Sequence, residues 1–450
     1  MDAPERAEEV RAMRMTVDEA LTRGGAGAFQ KRLLLIFGLV WAADAMQVIA
    51  VGFTARSIAT TFGLTVPVAL QTGTLFFLGM FIGAMAFGRL ADRIGRRNLL
   101  LLTVGLDAIF GLASVFAQDF QTLLILRFLT GAAVGGTLPV DYALMAEFLP
   151  PRNRGRWLVL LEGFWAVGTV VIALTAWAAS LAGSAEAFRW IFAVAALPAL
   201  IGIVLRLWVP ESPLFLLRRN REPAARAVIA RILAHNRAEP LPDDATLVLP
   251  QHTPVEGGLF GPALRRLTYA VLALWFLVSL AYYGVFTWLP PRLAEQGFGF
   301  VRGYGFLLWL AIAQLPGYAL AAWGVEAVGR RWTLVVFLIL SAAGCMIFAL
   351  APSPMIVALG LTLMSFSLLG TWGALYAFTP ELYPTVLRGT GMGTASAAAR
   401  LAGLLAPSAL APLVVARGFS FAAGLFAALL VIGAGVALTI REETRGRALD

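Results

Sequence analysis

Along the chain, apolar runs of about twenty residues follow one another, separated by short connectors that gather the charged side chains. A helix needs about 20 predominantly apolar residues to cross about 30 Å of hydrocarbon. Twelve such runs are present, six on either side of a polar stretch near the middle. The pattern predicts spans at about Leu33–Thr54, Ala69–Leu90, Asn98–Ala117, Gln121–Met145, Trp157–Ser180 and Phe188–Val209. A seventh follows at about Thr268–Pro290, an eighth ends at Val325–Arg331, a tenth covers Met355–Phe378 and an eleventh Gly391–Val415. The ninth and twelfth complete an all-α membrane protein of two six-helix bundles, 33–209 and 268–440. Segments 1–32, 210–267 and 441–450 are the polar ends and linker.

The connectors repeat. Glu-Phe-Leu-Pro-Pro-Arg-Asn-Arg-Gly, residues 147–155, returns as Glu-Leu-Tyr-Pro-Thr-Val-Leu-Arg-Gly, residues 381–389, with Glu, Pro, Arg and Gly in register. The same offset of 234 residues (147 to 381) carries Asp92, Gly95, Arg96 and Arg97 onto Glu326, Gly329, Arg330 and Arg331. Two separate motifs at one spacing of half the chain imply an internal duplication.

Composition agrees with lipid as the solvent: 59% of the residues are hydrophobic, 14% are charged, and mean hydropathy is +0.80. The net charge of +9 follows topology rather than one face. Basic residues crowd alternate connectors, which by the positive-inside rule places both termini in the cytoplasm and argues against a nucleic-acid partner. The first 32 residues are polar and the run after them is long enough to span, so it is expected to remain as a helix. Cys345, the single cysteine, forms no intrachain disulfide, and both histidines, His235 and His252, fall in the central linker. Neither a metal cluster nor a nucleophile–base constellation is visible, which argues against an enzyme and leaves carboxylates to carry any proton.

Ionisable residues inside a membrane generally face a bundle interior or wet cavity. Asp44 lies in the middle of the first span, roughly 15 Å from either end, with Gln47 about one turn on. Its bland alternative is a structural ion pair. Asp107 and Arg127 lie at similar depths on the antiparallel third and fourth spans, where they could form a static pair. Gly131, Gly135 and Gly136 follow Arg127 and favour close helix packing. Glu162 and Arg206, both near inner ends, are expected to pair or snorkel. Arg400 is also roughly 15 Å deep, and no membrane carboxylate in its own half is available to it. Its guanidinium suits an anionic ligand, with a pair to Asp44 or Asp107 as the alternative. Tyr282 and Tyr283 suit either an interfacial belt or a binding wall. Trp372 and Tyr376 are further aromatic candidates.

Taken together, these residues resemble the major facilitator superfamily from about Thr16 to Arg447. Both elbows resemble its loop motif. Residues 147–155, Arg127 with its glycines, and Pro210-Glu-Ser-Pro resemble its sugar-porter branch, yet the seventh span lacks that branch's paired glutamines and Gly-x-Asn segment, which argues against a sugar. Thr16-Val-Asp-Glu-Ala, Trp41-Ala-Ala-Asp-Ala-Met, Leu161-Glu-Gly-Phe-Trp, Tyr282-Tyr-Gly and Thr379-Pro-Glu-Leu-Tyr-Pro-Thr are similar to the group of NiaP-type niacin transporters and synaptic-vesicle-two-related proteins.

The resemblance implies three roles. Asp44 and Arg127 match a proton-coupling pair that opens when the acid is protonated. Arg400 matches a position that tends to be arginine in transporters of anions. Asp92, Arg96, Glu147 and Arg154, with Glu326, Arg330, Glu381 and Arg388, match an ionic latch that holds the cytoplasmic side shut. The resulting expectation is a proton-coupled importer of a small aromatic carboxylate, nicotinate first, acting as a monomer in a bacterial inner membrane without a cofactor beyond the coupled proton. In that expectation Arg400 binds the carboxylate, Tyr283, Trp372 and Tyr376 line the ring, and Asp44, Arg127 and Asp107 serve proton coupling. Its alternatives are another organic anion, an organic cation or drug, or a transporter fold used as a nutrient sensor.

Overall fold

The computed structural model describes residues 14–184, 186–249, 257–295, 304–384 and 386–446; the side chains at 92, 287–295, 304, 407–415 and 419 lie outside the described set. The first half holds α1 (Val17–Gly24), α2 (Ala28–Phe62), α3 (Val66–Ala69), α4 (Gln71–Ile94), α5 (Arg96–Ala113), α6 (Phe120–Ala146), α7 (Arg154–Glu162), α8 (Phe164–Leu181) and α9 (Ala187–Arg206). The linker contributes α10 (Pro213–Arg218) and α11 (Glu222–His235), and the second half α12 (Arg265–Glu295), α13 (Tyr304–Ala327), α14 (Arg330–Ala349), α15 (Pro354–Leu382), α16 (Arg388–Arg417) and α17 (Phe419–Thr439).

Eleven helical stretches are long and apolar enough to cross a membrane among the described residues. The expected eleventh span corresponds to α16, a helix of 30 residues that includes the undescribed side chains 407–415. Large apolar side chains such as Ile109, Val204, Leu350 and Met355 point outward, as a lipid-facing surface requires. The expected fifth span is interrupted at Gly163, which caps α7 one residue past Glu162. That interruption ends α7 on the carboxylate.

Within the first half α4 packs on α6, and α2 on α8 and α9; within the second, α14 packs on α15 and α17, and α12 on α16. Across the halves α16 meets α4, and α13 meets α7 and α8. Asp119 starts α6 by accepting from the Thr122 backbone N–H at 2.8 Å, and this bonding holds its carboxyl below the ordinary range. The segment before the first span is also ordered. β1 (Arg14–Thr16) pairs in parallel with β2 (Thr246–Val248), and Thr16 and Glu19 form a reciprocal capping box on α1.

The α4–α6 crossing depends on glycine. A Cβ at Gly131 would lie 2.1 Å from the Phe76 carbonyl oxygen, and one at Gly135 2.2 Å from that of Met80. Both obstacles are backbone, so the helices must separate to admit any side chain. Gly131→Val is therefore expected to cost about 3 kcal/mol, read as a lower melting temperature of detergent-solubilised protein. Gly105→Ala, whose Cβ meets nothing within 4 Å, should melt like the parent; equal melting of all three proteins would refute the tight crossing.

Candidate substrate site

Where the halves meet, α7 and α8 present Glu162 and Trp165, one helical turn apart. Opposite them α12 presents Tyr282 and Tyr283, α15 presents Leu369, Trp372 and Tyr376, and α16 presents Arg400. These eight residues line one narrow pocket, its walls close together in this state. Arg400 is buried, 2% exposed, and its Nη1 donates to the Tyr283 hydroxyl at 2.5 Å. Its Nε has no acceptor among the described residues, and no described carboxylate lies within ion-pair distance. Thus Arg400, Tyr283, Trp372 and Tyr376 surround one cavity.

Glu162 supplies an acidic group across the pocket. Its carboxylate accepts from the Tyr142 hydroxyl at 2.8 Å and from the Tyr318 hydroxyl at 3.4 Å. The expected Glu162–Arg206 pair is not formed: Arg206 instead donates to Asp141 at 2.6 Å and lies over the Phe37 ring at 4.8 Å. Depth along two helices was similar for Glu162 and Arg206, but their faces differ. Asp141, buried on α6, was missed; the signal was available, since it is a carboxylate within an apolar run, as Asp44 is.

A cluster of rings extends from the cavity. Tyr142 and Tyr376, one from each half, have centroids 4.4 Å apart, and Trp41 meets both edge-on at 4.8 and 5.4 Å. Trp275 lies 4.6 Å from Tyr376, and Trp165 Nε1 donates to the Tyr282 hydroxyl at 3.3 Å. The faces of these aromatic residues could not be assigned from composition or helical depth. Their side chains seal the halves together beside the charged pocket.

Asp44 and Asp107 are buried, and none of their carboxylate oxygens has a hydrogen-bond partner among the described residues. Arg127 pairs with neither. Gln47 takes it, accepting at 2.7 Å through Oε1 and at 3.0 Å through its carbonyl oxygen, while Phe76 and Phe192 flank the guanidinium at 4.5 Å. The static Asp107–Arg127 pair and the Asp44–Arg127 pair are therefore absent from this state. Cation–π contact and two acceptors offset the loss of a carboxylate.

Around the elbows the charges close a network. Glu147 meets Arg96 at 3.1 Å and, across the halves, Arg388 at 3.5 Å; the Ser212 hydroxyl donates to it as well. Glu381 meets Arg330 at 3.0 Å and accepts from Thr444 at 2.5 Å. Glu326 accepts from Arg330 at 3.2 Å and from the Arg156 backbone N–H at 3.0 Å. Arg154 donates to Asp18 of α1 at 2.8 Å, a partner that the motif alone did not reveal. A Cβ at Gly155 would come within 2.7 Å of the Arg330 guanidinium, which explains a glycine there. The side chain of Asp92 lies outside the described residues.

A third repeat emerges from these contacts. Glu211 accepts from the backbone N–H groups of Arg97 and Ser212 at 3.2 and 2.9 Å. Correspondingly, Glu443 accepts from those of Arg331 and Thr444 at 3.2 and 3.0 Å. In each half a Glu anchors the elbow backbone and the following hydroxyl reaches the motif carboxylate. Burial holds the Glu211 carboxyl above its ordinary range, although the two amides and the Arg96 charge pull it down.

The profile described as "Sugar (and other) transporter" matches residues 30–450. A niacin transporter, NiaP, of Acinetobacter baylyi is 34% identical over 94% of this chain and 96% of its own length. Synaptic vesicle 2-related protein of Xenopus laevis is 29% identical over 96% of this chain and 82% of its own length. Among solved structures, the major facilitator proton:xylose symporter XylE bound to 6-bromo-6-deoxy-D-glucose superposes with a TM-score of 0.78 at 18% identity, over 94% of this chain and 98% of that one.

The network predicts its own weak point. Glu147→Gln removes the charge shared by Arg96 and Arg388, and spin labels at the exposed positions Arg152 and Val328 should then report a new longer-distance population by double electron–electron resonance. An unchanged distance distribution would remove Glu147 from the closure of this face.

Proposed function

The chain belongs to the sugar (and other) transporter family of the major facilitator superfamily, and on that premise we propose that this integral membrane secondary transporter imports a small aromatic monocarboxylate, nicotinate first, with a proton. The supporting observation is Arg400: a buried guanidinium without a carboxylate partner, among aromatic walls, at the junction of the halves. A ligand carboxylate would satisfy it through charge-assisted hydrogen bonds, while Tyr283, Trp372 and Tyr376 line the ring. The niacin-transporter relative supports nicotinate as the first candidate.

Asp44 carries the proton in this reading, with Asp107 beside it in the same role. A buried carboxyl without a partner is tolerated as the neutral acid rather than as the anion, and Arg127 is meanwhile held by Gln47. Deprotonation would draw Arg127 back toward an aspartate, linking the proton to the packing of α2, α5 and α6. The elbow network, Asp92 included by its position in the motif, holds the cytoplasmic face closed while the halves rock around the central site. Both termini lie on the cytoplasmic side of a bacterial inner membrane, and the transporter acts as a monomer.

One observation favours a second reading. Glu162 and its rings also suit an organic cation. Uptake of labelled nicotinate into proteoliposomes, with and without an inward proton gradient, separates the two. Gradient-driven accumulation is expected, with Arg400→Ala lowering apparent affinity by about tenfold or more and Asp44→Asn abolishing accumulation but retaining exchange. If nicotinate neither binds nor enters while an organic cation does, the carboxylate role of Arg400 is wrong.

A further inference from the structure

Glu162 is the buried acid that the proton-coupling scheme leaves unused. It is 2% exposed and lines the same cavity as Arg400, but the two do not form an ion pair. A buried guanidinium and a buried carboxyl group that line one pocket without pairing leave hydrogen-bonding positions that a ligand could complete at both ends. Each Glu162 oxygen receives one tyrosine hydrogen bond, Oε2 from Tyr142 and Oε1 from Tyr318. Two accepted hydrogen bonds do not exhaust a carboxyl group, whether ionised or protonated with an O–H of its own to donate, so capacity remains for a ligand. The pocket therefore has a cationic end at Arg400, an acidic end at Glu162 and aromatic walls between them.

Resting on the aromatic-carboxylate reading of this site, we propose that Glu162 reads a basic nitrogen in the ligand ring, selecting heteroaromatic carboxylates whose nitrogen lies away from the carboxylate. With the ring unprotonated, the Glu162 carboxyl group donates its proton to the ring nitrogen. With the proton transferred, the ring N–H donates to the carboxylate. Both forms contain the same single proton, and in both the ligand carboxylate stays on Arg400. The charged and titratable groups facing Glu162 are Tyr142 of α6, Tyr318 of α13, Tyr282 and Tyr283 of α12, Tyr376 of α15 and Arg400 of α16. Of these, Arg400 bears the positive charge that the ligand's own carboxylate neutralises.

Geometry then distinguishes isomers. In nicotinate the ring nitrogen is meta to the carboxylate and can face the acidic end when the carboxylate occupies the cationic end. In picolinate the nitrogen is adjacent to the carboxylate and stays at Arg400, while benzoate has no nitrogen at all. A pocket that leaves a buried polar group unmatched rejects the poorer ligand.

Isothermal titration of the purified full-length protein in nanodiscs, with nicotinate, benzoate and picolinate separately, tests this assignment. Wild type should prefer nicotinate to each of the others by about tenfold to a hundredfold. Glu162→Gln keeps a donor for the ring nitrogen and should retain most of that preference; Glu162→Leu should level the three ligands. Similar wild-type affinity for all three, or a variant that weakens them equally with the ranking intact, overturns the role of Glu162 but leaves the carboxylate site standing. Wild type that binds none of the three overturns the parent reading instead. Should Glu162→Leu fail to fold, the wild-type ranking and Glu162→Gln decide: a flat ranking, or lost preference in the Gln variant, sinks the proposal.

Discussion

A charge buried in this fold needs a partner, and that requirement organises the interior. Seven buried arginines, Arg96, Arg127, Arg154, Arg206, Arg330, Arg388 and Arg400, are found among the described residues. Five are paired with carboxylates: Arg96 and Arg388 share Glu147, Arg154 takes Asp18, Arg206 takes Asp141 and Arg330 takes Glu381. The exceptions are Arg127 and Arg400. Likewise Asp44, Asp107 and Glu162 are buried acids without an arginine partner. The unmatched groups lie within the spans, whereas the matched ones include the network at the elbows. A paired set favours one arrangement, whereas an unmatched set remains responsive to a proton or ligand.

Duplication accounts for the elbow network but not for its asymmetry. Each half uses a Glu to hold the elbow amides and an adjacent hydroxyl to reach the motif carboxylate: Glu211 with Ser212, and Glu443 with Thr444. Glu147, however, takes an arginine from each half, while the Arg154 of the first motif turns to Asp18. The segment before the first span is thereby tied into the elbow network. Its β1–β2 pairing and the Asn236 side chain, which accepts from the Phe29 backbone N–H at 2.9 Å, bind it to the linker. An equivalent motif has acquired a different partner because the surrounding chain differs.

Span number, internal duplication and the elbow motifs were legible because each is a linear property: a length, an offset or a run of residue types. Pairing across the interior was not. The inner-end positions of Glu162 and Arg206 suggested a pair, yet Asp141 takes Arg206 and two tyrosines take Glu162. Depth follows from counting residues at about 1.5 Å each, but the direction around a helix axis depends on tertiary packing. Trp41 and Tyr318 were hidden for the same reason, since an aromatic residue suits a lipid-facing and an interior position alike. Asp141 is different: a carboxylate within an apolar run is itself a linear signal.

In the proposed scheme the position of Glu162 would link recognition to closure. It belongs to the first half, accepts one hydrogen bond from Tyr142 of that half and another from Tyr318 of the second, and lines the cavity that holds Arg400. Tyr142 itself packs against Tyr376 across the junction. A ligand bridging Arg400 and Glu162 would therefore join the halves directly while changing the demand on the hydrogen bonds and rings beside them. Such a bridge exists only when both ends are close enough to be reached, so its binding energy differs between a closed and an opened junction. That difference, rather than affinity alone, is what would let such a ligand bias the motion of the two halves.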